Sequence, residues 1–363
     1  MMDGVISLGV GEPDFQTPWM VRKAAVDSLE RKRMVYTANS GMADLRQEIC
    51  NYLKRKYDLT YHPENETLVT VGGSEAIDLA IRAIVNPGDE VLIVEPSFVC
   101  YKPIVELMHG MAIPISTQLK NKFKLTAEEL RSHITERPKL LILPYPNNPT
   151  GGIMTREDLE AIAEVLRDTN VLVLSDEIYS ELTYGRKHVS IASIDGMWER
   201  TIYVSGFSKA FAMTGWRLGY VCAPEPIAKQ MLKIHQYAIM SAPTLSQYAA
   251  IVALRECDKE VQKMVDEYNR RRRMLVDGFN RIGLTCFNPE GAFYMFPCIR
   301  SIGMSSEEFC ETLLQEEKVA VVPGNAFGES GEGFVRVSYA YSLKHLQEAL
   351  VRIERFVNRH RGE

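Results

Sequence analysis

Short apolar runs alternate with amphipathic patterns through the middle of the sequence, and this alternation limits the possible folds more than any other feature. Helical patterns, such as residues 75–85 and 156–167, separate most of the runs. This order is typical of βαβ crossovers, so we expect an α/β fold whose large domain has a mainly parallel, seven-stranded sheet covered by helices. The seven predicted strands are residues 67–71, 90–94, 112–116, 140–143, 171–174, 201–204 and 218–222.

A change of pattern after the seventh run predicts a second, smaller α+β domain. The 363 residues are enough for two domains with a large core. We expect an N-terminal segment, residues 1–35, to join the small domain, with the large domain over residues 36–250 and the small domain over residues 251–363. The other predicted elements are helices at 18–33, 43–57, 228–237, 248–282, 306–317 and from Leu343, and strands at 293–296, 319–322 and 334–337.

Composition and charge argue against several classes of protein. A net charge of −5 gives no basic surface for nucleic acid, and no apolar run approaches the about 20 residues that a membrane span needs. The N-terminus has no basic segment followed by an apolar core, so we expect no signal peptide. Seven scattered cysteines without a Cys-x-x-Cys pair predict free thiols in a reducing cytoplasm. Without a His-Glu-x-x-His pattern we expect no metal.

Charged and polar residues that follow the predicted strands are the first functional candidates, because ligands of such sheets bind at the carboxyl ends of strands. Gly72-Gly73-Ser74-Glu75 follows the first run and opens a helix, where free backbone amides predict an anion site and Ser74 can cap the helix. A plain helix cap is the alternative. Asp176 follows the fifth run, and a carboxylate at a buried strand end needs a cation, unless it serves as a helix N-cap.

Basic residues in apolar surroundings form a second group of candidates. Lys209 lies just past the sixth run, where its amine can be desolvated and lose its proton, as a lysine that forms a Schiff base requires. Its alternative is an amphipathic turn whose lysine extends to water. Arg217 keeps its charge on burial and needs an anion, for which a phosphate is suited. Arg336 interrupts an apolar strand and, if it faces inward, must hold a carboxylate. The arginines at 270–273 are predicted to form a solvated helix face.

The sequence of residues 208–220, Ser-Lys-Ala-Phe-Ala-Met-Thr-Gly-Trp-Arg-Leu-Gly-Tyr, resembles the cofactor-lysine segment of class I aminotransferases. These are fold-type I enzymes that use pyridoxal 5'-phosphate. The resemblance covers nearly the whole chain, and Asn-Pro-Thr-Gly at 148–151 is a further specific signature. It implies that Lys209 carries the cofactor covalently and that Arg217 binds its phosphate. Segments 175–184 and 291–297 are most similar to the aminotransferase A or N-acetyl-diaminopimelate aminotransferase type of Gram-positive bacteria.

The resemblance also implies roles for the other candidates. Asp176 would pair with the protonated pyridine nitrogen, and Phe98 would stack on the ring. Asn148 and Tyr179 would reach the phenolic oxygen. The implied catalytic residues are Lys209, Asp176 and Tyr179. The implied cofactor-binding residues are Gly73, Ser74, Glu75, Phe98, Asn148, Asp176, Tyr179, Ser208, Lys209, Arg217 and Tyr36. The implied substrate-binding residues are Gly11, Asn148 and Arg336.

The activity implied is transfer of an amino group from an L-amino acid to a 2-oxo acid, with 2-oxoglutarate as the expected acceptor and ping-pong kinetics. Lys209 would move the α-proton, and Arg336 would fix the substrate carboxylate. Tyr36 lies in a polar turn and would reach the cofactor phosphate of the neighbouring subunit, in a homodimer with shared active sites. Family members usually carry a further helical segment before Val5, so we expect the start of the chain to be truncated or wrongly assigned.

Two other functions stay open from the sequence. A pyridoxal-dependent carbon–sulfur β-lyase would share every residue named, and it would release ammonia and pyruvate in place of exchange with a keto acid. A non-catalytic ligand-binding member is expected to add a DNA-binding domain. The preferred amino donor also stays open among aspartate, an aromatic amino acid, acetyl-diaminopimelate and others, because the groups that contact the side chain lie on loops.

Overall fold

The computed structural model describes residues 4–31 and 34–361. Apolar runs rich in β-branched and aliphatic residues form the strands, as the preference of such residues for a buried sheet predicts. The strands are β1 (Ile6–Ser7), β2 (Thr67–Thr70), β3 (Glu90–Glu95), β4 (Met111–Ser116), β5 (Pro138–Leu143), β6 (Leu172–Asp176), β7 (Thr201–Gly206), β8 (Gly219–Cys222), β9 (Tyr294–Met295), β10 (Val319–Ala320), β11 (Val322–Pro323) and β12 (Val335–Ser338).

Amphipathic stretches form the helices, and the bounds predicted at 43–57 and 306–317 are confirmed. Across the described parts of the chain, no helix is long and apolar enough to cross a membrane. The helices are α1 (Trp19–Arg31), α2 (Ala43–Tyr57), α3 (Gly72–Ile84), α4 (Tyr101–Leu107), α5 (Ala127–His133), α6 (Arg156–Leu166), α7 (Glu225–Ala238), α8 (Thr244–Glu256), α9 (Asp258–Arg281), α10 (Ser306–Glu317) and α11 (Leu343–His360).

Seven strands form the central sheet in the order β2-β8-β7-β6-β5-β3-β4. The strands from β7 to β4 pair in parallel, whereas β8 runs antiparallel to both β7 and β2. The predicted mainly parallel, seven-stranded sheet is therefore confirmed. Because β2 and β7 are both antiparallel to β8, they run in the same direction. The carboxyl ends of β2, β3, β5, β6 and β7 thus meet at one edge of the sheet.

Helices cover both faces of this sheet. Successive residues of a strand point to opposite faces, and each face has its own core. Ile93 and Ile142 pack in the core that includes residues of α3 and α7. Leu92 and Leu141 pack in the core that includes residues of α6. The inner strands are mostly apolar because helices shield both of their faces from water, whereas the edge strand β4 is partly exposed.

The long helix predicted over residues 248–282 is two helices. Helix α8 ends at Glu256 and α9 begins at Asp258, with Cys257 between them at φ −99° and ψ 14°. Acidic side chains in the first turn of α9, Asp258 and Glu260, favour a helix start at this point. Neither glycine nor proline marks the boundary, which explains why the prediction was wrong.

Two small sheets lie in the C-terminal third. Strands β11, β12 and β9 form an antiparallel sheet in that order, and β1 pairs in parallel with β10. The strand predicted at 319–322 is thus divided between two sheets. The pairing of β1 with β10 ties the N-terminal segment to C-terminal elements, while the division into domains at residues 36 and 251 stays a prediction.

The arginine run at 270–273 is not a uniformly solvated face, so that prediction is wrong for its two central members. Arg271 and Arg272 are 5% and 7% exposed. Arg271 binds Asp14 at 2.8 Å and Glu267 at 3.0 Å. It therefore ties α9 to the loop that precedes α1, and this tertiary contact has no signal in the local sequence.

We expect Arg271→Ala to destabilise the protein. The substitution leaves the carboxylates of Asp14 and Glu267 without their common cation, at a cost of about 2–4 kcal/mol in the free energy of unfolding. The matched control is Arg273→Ala, because Arg273 is exposed on the same helix, and its effect should stay below about 0.5 kcal/mol. Thermal unfolding at a fixed protein concentration measures both, and equal Tm values for the two variants would contradict the structural role of Arg271.

Candidate active site

A cavity of about 560 Å³ lies at the sheet edge where the strand carboxyl ends meet. Residues that follow β2, β3, β5, β6 and β7 line it, together with the N-terminal loop and β12. Most of the predicted site residues are brought together here, although they come from distant parts of the chain. Those that line the cavity are Gly11, Gly73, Ser74, Phe98, Asn148, Asp176, Tyr179, Ser208, Lys209, Arg217 and Arg336.

Lys209 lies in the turn after β7, and its Nζ donates to the Gly11 carbonyl at 2.6 Å. Burial lowers the pKa of this amine to about 8, and the Glu12 carboxylate opposes the shift. The rings of Tyr179 and Phe293 lie with their centroids 6.0 Å from Nζ. The lysine therefore faces the cavity and does not extend to bulk water. A sizeable neutral fraction near neutral pH makes its amine a nucleophile.

Asp176 is the last residue of β6 and is 7% exposed. One carboxylate oxygen accepts from the Tyr101 hydroxyl at 2.7 Å, and the other accepts from the Ile178 amide at 3.1 Å. Burial raises the pKa of the carboxyl, and the Tyr101 hydroxyl acts in the opposite direction. A turn follows β6, so the alternative of a helix N-cap is wrong. Asp176 forms no ion pair within residues 4–31 and 34–361.

Tyr179 and Phe98 are two aromatic residues that line the cavity. Tyr179 lies in the turn after β6, and its hydroxyl is 2.8 Å from the Tyr294 hydroxyl. Phe98 is half-buried and makes an edge contact with Tyr101, with ring centroids 6.2 Å apart. Both rings thus border the space between Asp176 and Lys209.

Arg336 points inward from β12 and is 8% exposed. Its Nη1 donates to the Asn148 side-chain oxygen at 2.9 Å, and its Nη2 donates to the Gly9 carbonyl. The rings of Tyr294 and Phe327 flank the guanidinium, with centroids 4.6 and 4.8 Å away. Its buried Nε has no hydrogen-bond partner among the residues that the structure describes. Within the described chain no carboxylate pairs with Arg336, so the predicted anion has to come from a ligand.

The start of α3 lies against the turn that carries Arg217. Gly72 has φ +79°, and a Cβ on it would lie 2.6 Å from Nη2 of Arg217. A Cβ on Gly219 would lie 2.5 Å from the carbonyl carbon of Gly72, so close packing requires glycine at 219, and the positive φ favours glycine at 72. Helix α3 begins at Gly72, with Val71 as its N-cap, so the prediction that Ser74 caps the helix is wrong. Free amides beside a guanidinium form a site suited to a phosphate.

Two predicted site residues lie outside the lining of the cavity. The Glu75 carboxylate accepts from the Val71 amide and lies 2.6 Å from Nδ1 of His235, so it faces α7. Tyr36 is 80% exposed on the surface of the chain. The role predicted for Glu75 stays a prediction that depends on its backbone contact. The role predicted for Tyr36 stays a prediction that depends on a partner subunit.

Sequence reasoning missed two tyrosines of the cavity. Tyr101 follows Phe98 by three residues and donates to Asp176. The Tyr294 hydroxyl lies where a side chain at position 11 would collide, so Gly11 makes room for this hydroxyl as well as for a ligand. Tyrosines near element ends are common in cores, and no pattern in the sequence distinguishes these two.

The cavity residues fit a phosphorylated aldehyde better than a metal. A neutral lysine amine can bond covalently to an aldehyde carbon, and the start of α3 with Arg217 can hold a phosphate. Asp176, buried without a cation, can hold a protonated ring nitrogen. Among the described residues, no group of three or more His, Cys, Asp or Glu side chains is placed to hold a metal ion.

The fold and the site define an α/β enzyme with a buried, nucleophilic lysine. Several known proteins have sequences similar to this one over nearly its full length. Residues 3–353 match the family described as aminotransferase class I and II. Aminotransferase YugH of Bacillus subtilis is 54% identical over 358 residues, which are 99% of this chain and 93% of that protein. N-acetyl-LL-diaminopimelate aminotransferase of the same organism is 44% identical over 355 residues, 98% of this chain and 90% of that protein.

A solved structure has the same fold over nearly its full length. The aromatic aminotransferase from Pyrococcus horikoshii OT3 aligns with a TM-score of 0.97 at 43% identity, covering 99% of this chain and 96% of that chain. The chain therefore belongs to the class I and II aminotransferase family and is an enzyme. The resemblance inferred from residues 208–220, and with it the fold-type I architecture, is confirmed.

We expect the amine of Lys209 in cofactor-free protein to titrate with a pKa near 8. Burial disfavours the charged form, so the neutral, reactive amine should accumulate as pH rises through this value. Brief acetylation at a series of pH values, with quantitation of the Lys209 peptide by mass spectrometry, measures the titration. The control is the same lysine in urea, where its pKa should return to about 10.4. A folded-state midpoint near that of the urea control would contradict the desolvation.

Proposed function

We propose that this aminotransferase uses pyridoxal 5'-phosphate to move the amino group of an L-amino acid to a 2-oxo acid, with 2-oxoglutarate as acceptor and ping-pong kinetics. The observation that carries the proposal is that Lys209 and Arg336 face one cavity, the first with a lowered pKa and the second with an unpartnered, buried Nε. An arginine that binds the carboxylate of an amino acid brings the α-carbon towards the lysine.

The cavity residues fit pyridoxal phosphate in three places. Lys209 would bond to the aldehyde carbon, and Asp176 would face the pyridine nitrogen. The amides of Gly73 and Ser74, with Arg217, would hold the phosphate. When bound, the cofactor supplies an electron sink that makes the α-proton of the amino acid acidic. The other predicted contacts are those of Phe98 with the ring, Ser208 with the phosphate, and Asn148 and Tyr179 with the phenolic oxygen.

The chain itself supplies the proton transfer and the orientation. Nζ of Lys209 accepts the proton from the α-carbon of the amino acid, because a pKa of about 8 leaves a useful fraction of neutral amine near neutral pH. Tyr101 holds the Asp176 carboxylate in one orientation. Asn148 does the same for Arg336, whose guanidinium the rings of Tyr294 and Phe327 flank. Asp176 and Arg336 are therefore each held by a neighbouring side chain.

We also propose a homodimer whose two active sites are shared. Large hydrophobic side chains near Tyr36 are exposed, including Val35 at 54%, Tyr237 at 87% and Met240 at 48%. Asn39 donates to the Met240 carbonyl at 2.8 Å, so the two segments that carry these residues lie together. An apolar surface of this kind suits a self-complementary contact with a second copy. Tyr36 would then donate to the phosphate in the partner's cavity.

A cytoplasmic location is part of the same proposal. All seven cysteines lie in the described residues and are unpaired. Unpaired thiols, several of them buried, fit a reducing compartment. Fractionation of cells that contain the protein checks this assignment.

We expect Arg336→Met to weaken binding of amino donors. Loss of the charge-assisted contact with the α-carboxylate should raise KM about a hundredfold, on the scale of about 3 kcal/mol. Arg300→Met is the matched control, because Arg300 also lies over an aromatic ring, 5.0 Å from the centroid of Phe334, and does not line the cavity.

The readout for Arg336→Met is formation of glutamate from 2-oxoglutarate with a panel of L-amino acids. Amines that lack the carboxylate should react equally slowly with the native enzyme and with Arg336→Met, since neither can hold them by a carboxylate. Equal KM values for the amino acids in Arg336→Met and in the native enzyme would contradict the role. Release of ammonia and pyruvate without keto-acid exchange would favour the β-lyase.

Mixed dimers test the shared site. Tyr36→Phe should lower cofactor affinity about ten- to a hundredfold, because one hydrogen bond to the phosphate is lost. A dimer of one Tyr36→Phe chain and one Lys209→Ala chain restores both groups at one of its two sites, and cofactor affinity at the remaining lysine should recover. A mixed dimer that binds no better than the Tyr36→Phe homodimer would mean that Tyr36 does not act across the interface.

A further inference from the structure

Glu75 is in the first turn of α3, beside the predicted phosphate site, but its carboxylate turns away from the cavity. One oxygen accepts from the Val71 amide, and the other lies 2.6 Å from Nδ1 of His235 on α7. The side chains of His235 and Glu75 are 0% and 11% exposed. The carboxylate therefore links two elements that are 160 residues apart in the sequence.

The ring of His235 is held from one side in this buried place. Within residues 4–31 and 34–361 its Nε2 has no hydrogen-bond partner, so the ring is held through Nδ1, which donates to the carboxylate of Glu75. The backbone at His235 is fixed as well, because its carbonyl accepts from the amides of Ile239 at 2.8 Å and Met240 at 3.1 Å. The imidazole therefore supports the Glu75 carboxylate through a buried contact.

The segment supported in this way is the one that has to present amides to the phosphate. Val71 directly precedes Gly72 and Gly73, and glycines have little conformational preference of their own. Gly72 is at φ +79° with Arg217 against it. Without the contact to Glu75, the Val71 amide loses its partner and the glycine pair is free to take other conformations. Pre-organised amides bind an anion more tightly than amides that must first be ordered.

We propose that Glu75 and His235 are positioning residues for the cofactor phosphate, and that they act through the Val71–Gly72–Gly73 backbone without touching the phosphate. The inference rests on the proposed use of pyridoxal phosphate. It also gives Glu75 a function at the phosphate site although its side chain lies outside the cavity. Loss of the pair should weaken the binding of ligands that carry a phosphate and should leave the binding of ligands that lack one unchanged.

The test compares pyridoxal phosphate with pyridoxal. Dissociation constants of both for the cofactor-free protein are measured by absorbance for Glu75→Ala, Glu75→Gln and His235→Leu. Glu75→Ala and His235→Leu should raise the constant for pyridoxal phosphate about tenfold, as expected for loss of one charge-assisted hydrogen bond, and leave that for pyridoxal within about twofold. Glu75→Gln keeps an acceptor for the Val71 amide. Its dissociation constant for pyridoxal phosphate should lie between the values of these variants and that of the native protein.

Two controls separate positioning from general damage. Asp78→Asn removes a carboxylate from the same helix that pairs with Arg82, and it should change neither constant. His235→Asn keeps a donor close to Nδ1 and should restore much of the phosphate preference. Variants that bind both ligands more weakly to the same extent, or both as the native protein does, would overturn the proposal. If the native protein binds no pyridoxal phosphate at Lys209, the proposed function fails, and that outcome is distinct from a failure of the pair.

Discussion

Three ionisable side chains face one cavity, and their hydrogen-bond partners among the described residues are neutral groups. Lys209 donates to a backbone carbonyl, Asp176 accepts from a tyrosine hydroxyl and Arg336 donates to an amide oxygen. Buried charges without an opposite charge are costly, so each group favours a ligand that supplies what is missing. A molecule with an electrophilic carbon, a protonated ring nitrogen and a carboxylate meets all three needs at once, and an amino acid beside a pyridoxal cofactor is such a combination.

The topology of the sheet explains how these groups come together. Parallel strands place the residues after β2, β6 and β7 at one edge, which brings Gly73, Asp176 and Lys209 to the same cavity. The antiparallel strand β8 begins at Gly219, which packs against Gly72, and so the turn that carries Arg217 lies beside the start of α3. Arg336 reaches the cavity from the separate sheet that contains β12.

Residues that follow strands are one part of the site that could be predicted from sequence, and Arg336, a charge inside an apolar strand, is another. Asp176 and Lys209 each come directly after an apolar run, and in a parallel sheet that position alone brings them to the ligand edge. Tyr294, Tyr101 and His235 could not be found this way, because their contacts depend on packing between elements distant in the sequence. The burial of Arg271 beside Asp14 was mispredicted for the same reason, whereas the helix break at Cys257 was missed because neither glycine nor proline marks it.

The central claim is that Lys209 is the covalent attachment point of pyridoxal phosphate. Incubation of the protein with the cofactor, reduction with borohydride and peptide mapping by mass spectrometry tests it most directly. The account predicts one modified lysine in each chain, at position 209, and no modification of a Lys209→Ala variant under the same conditions. A cofactor adduct at another lysine, with Lys209 unmodified, would contradict it.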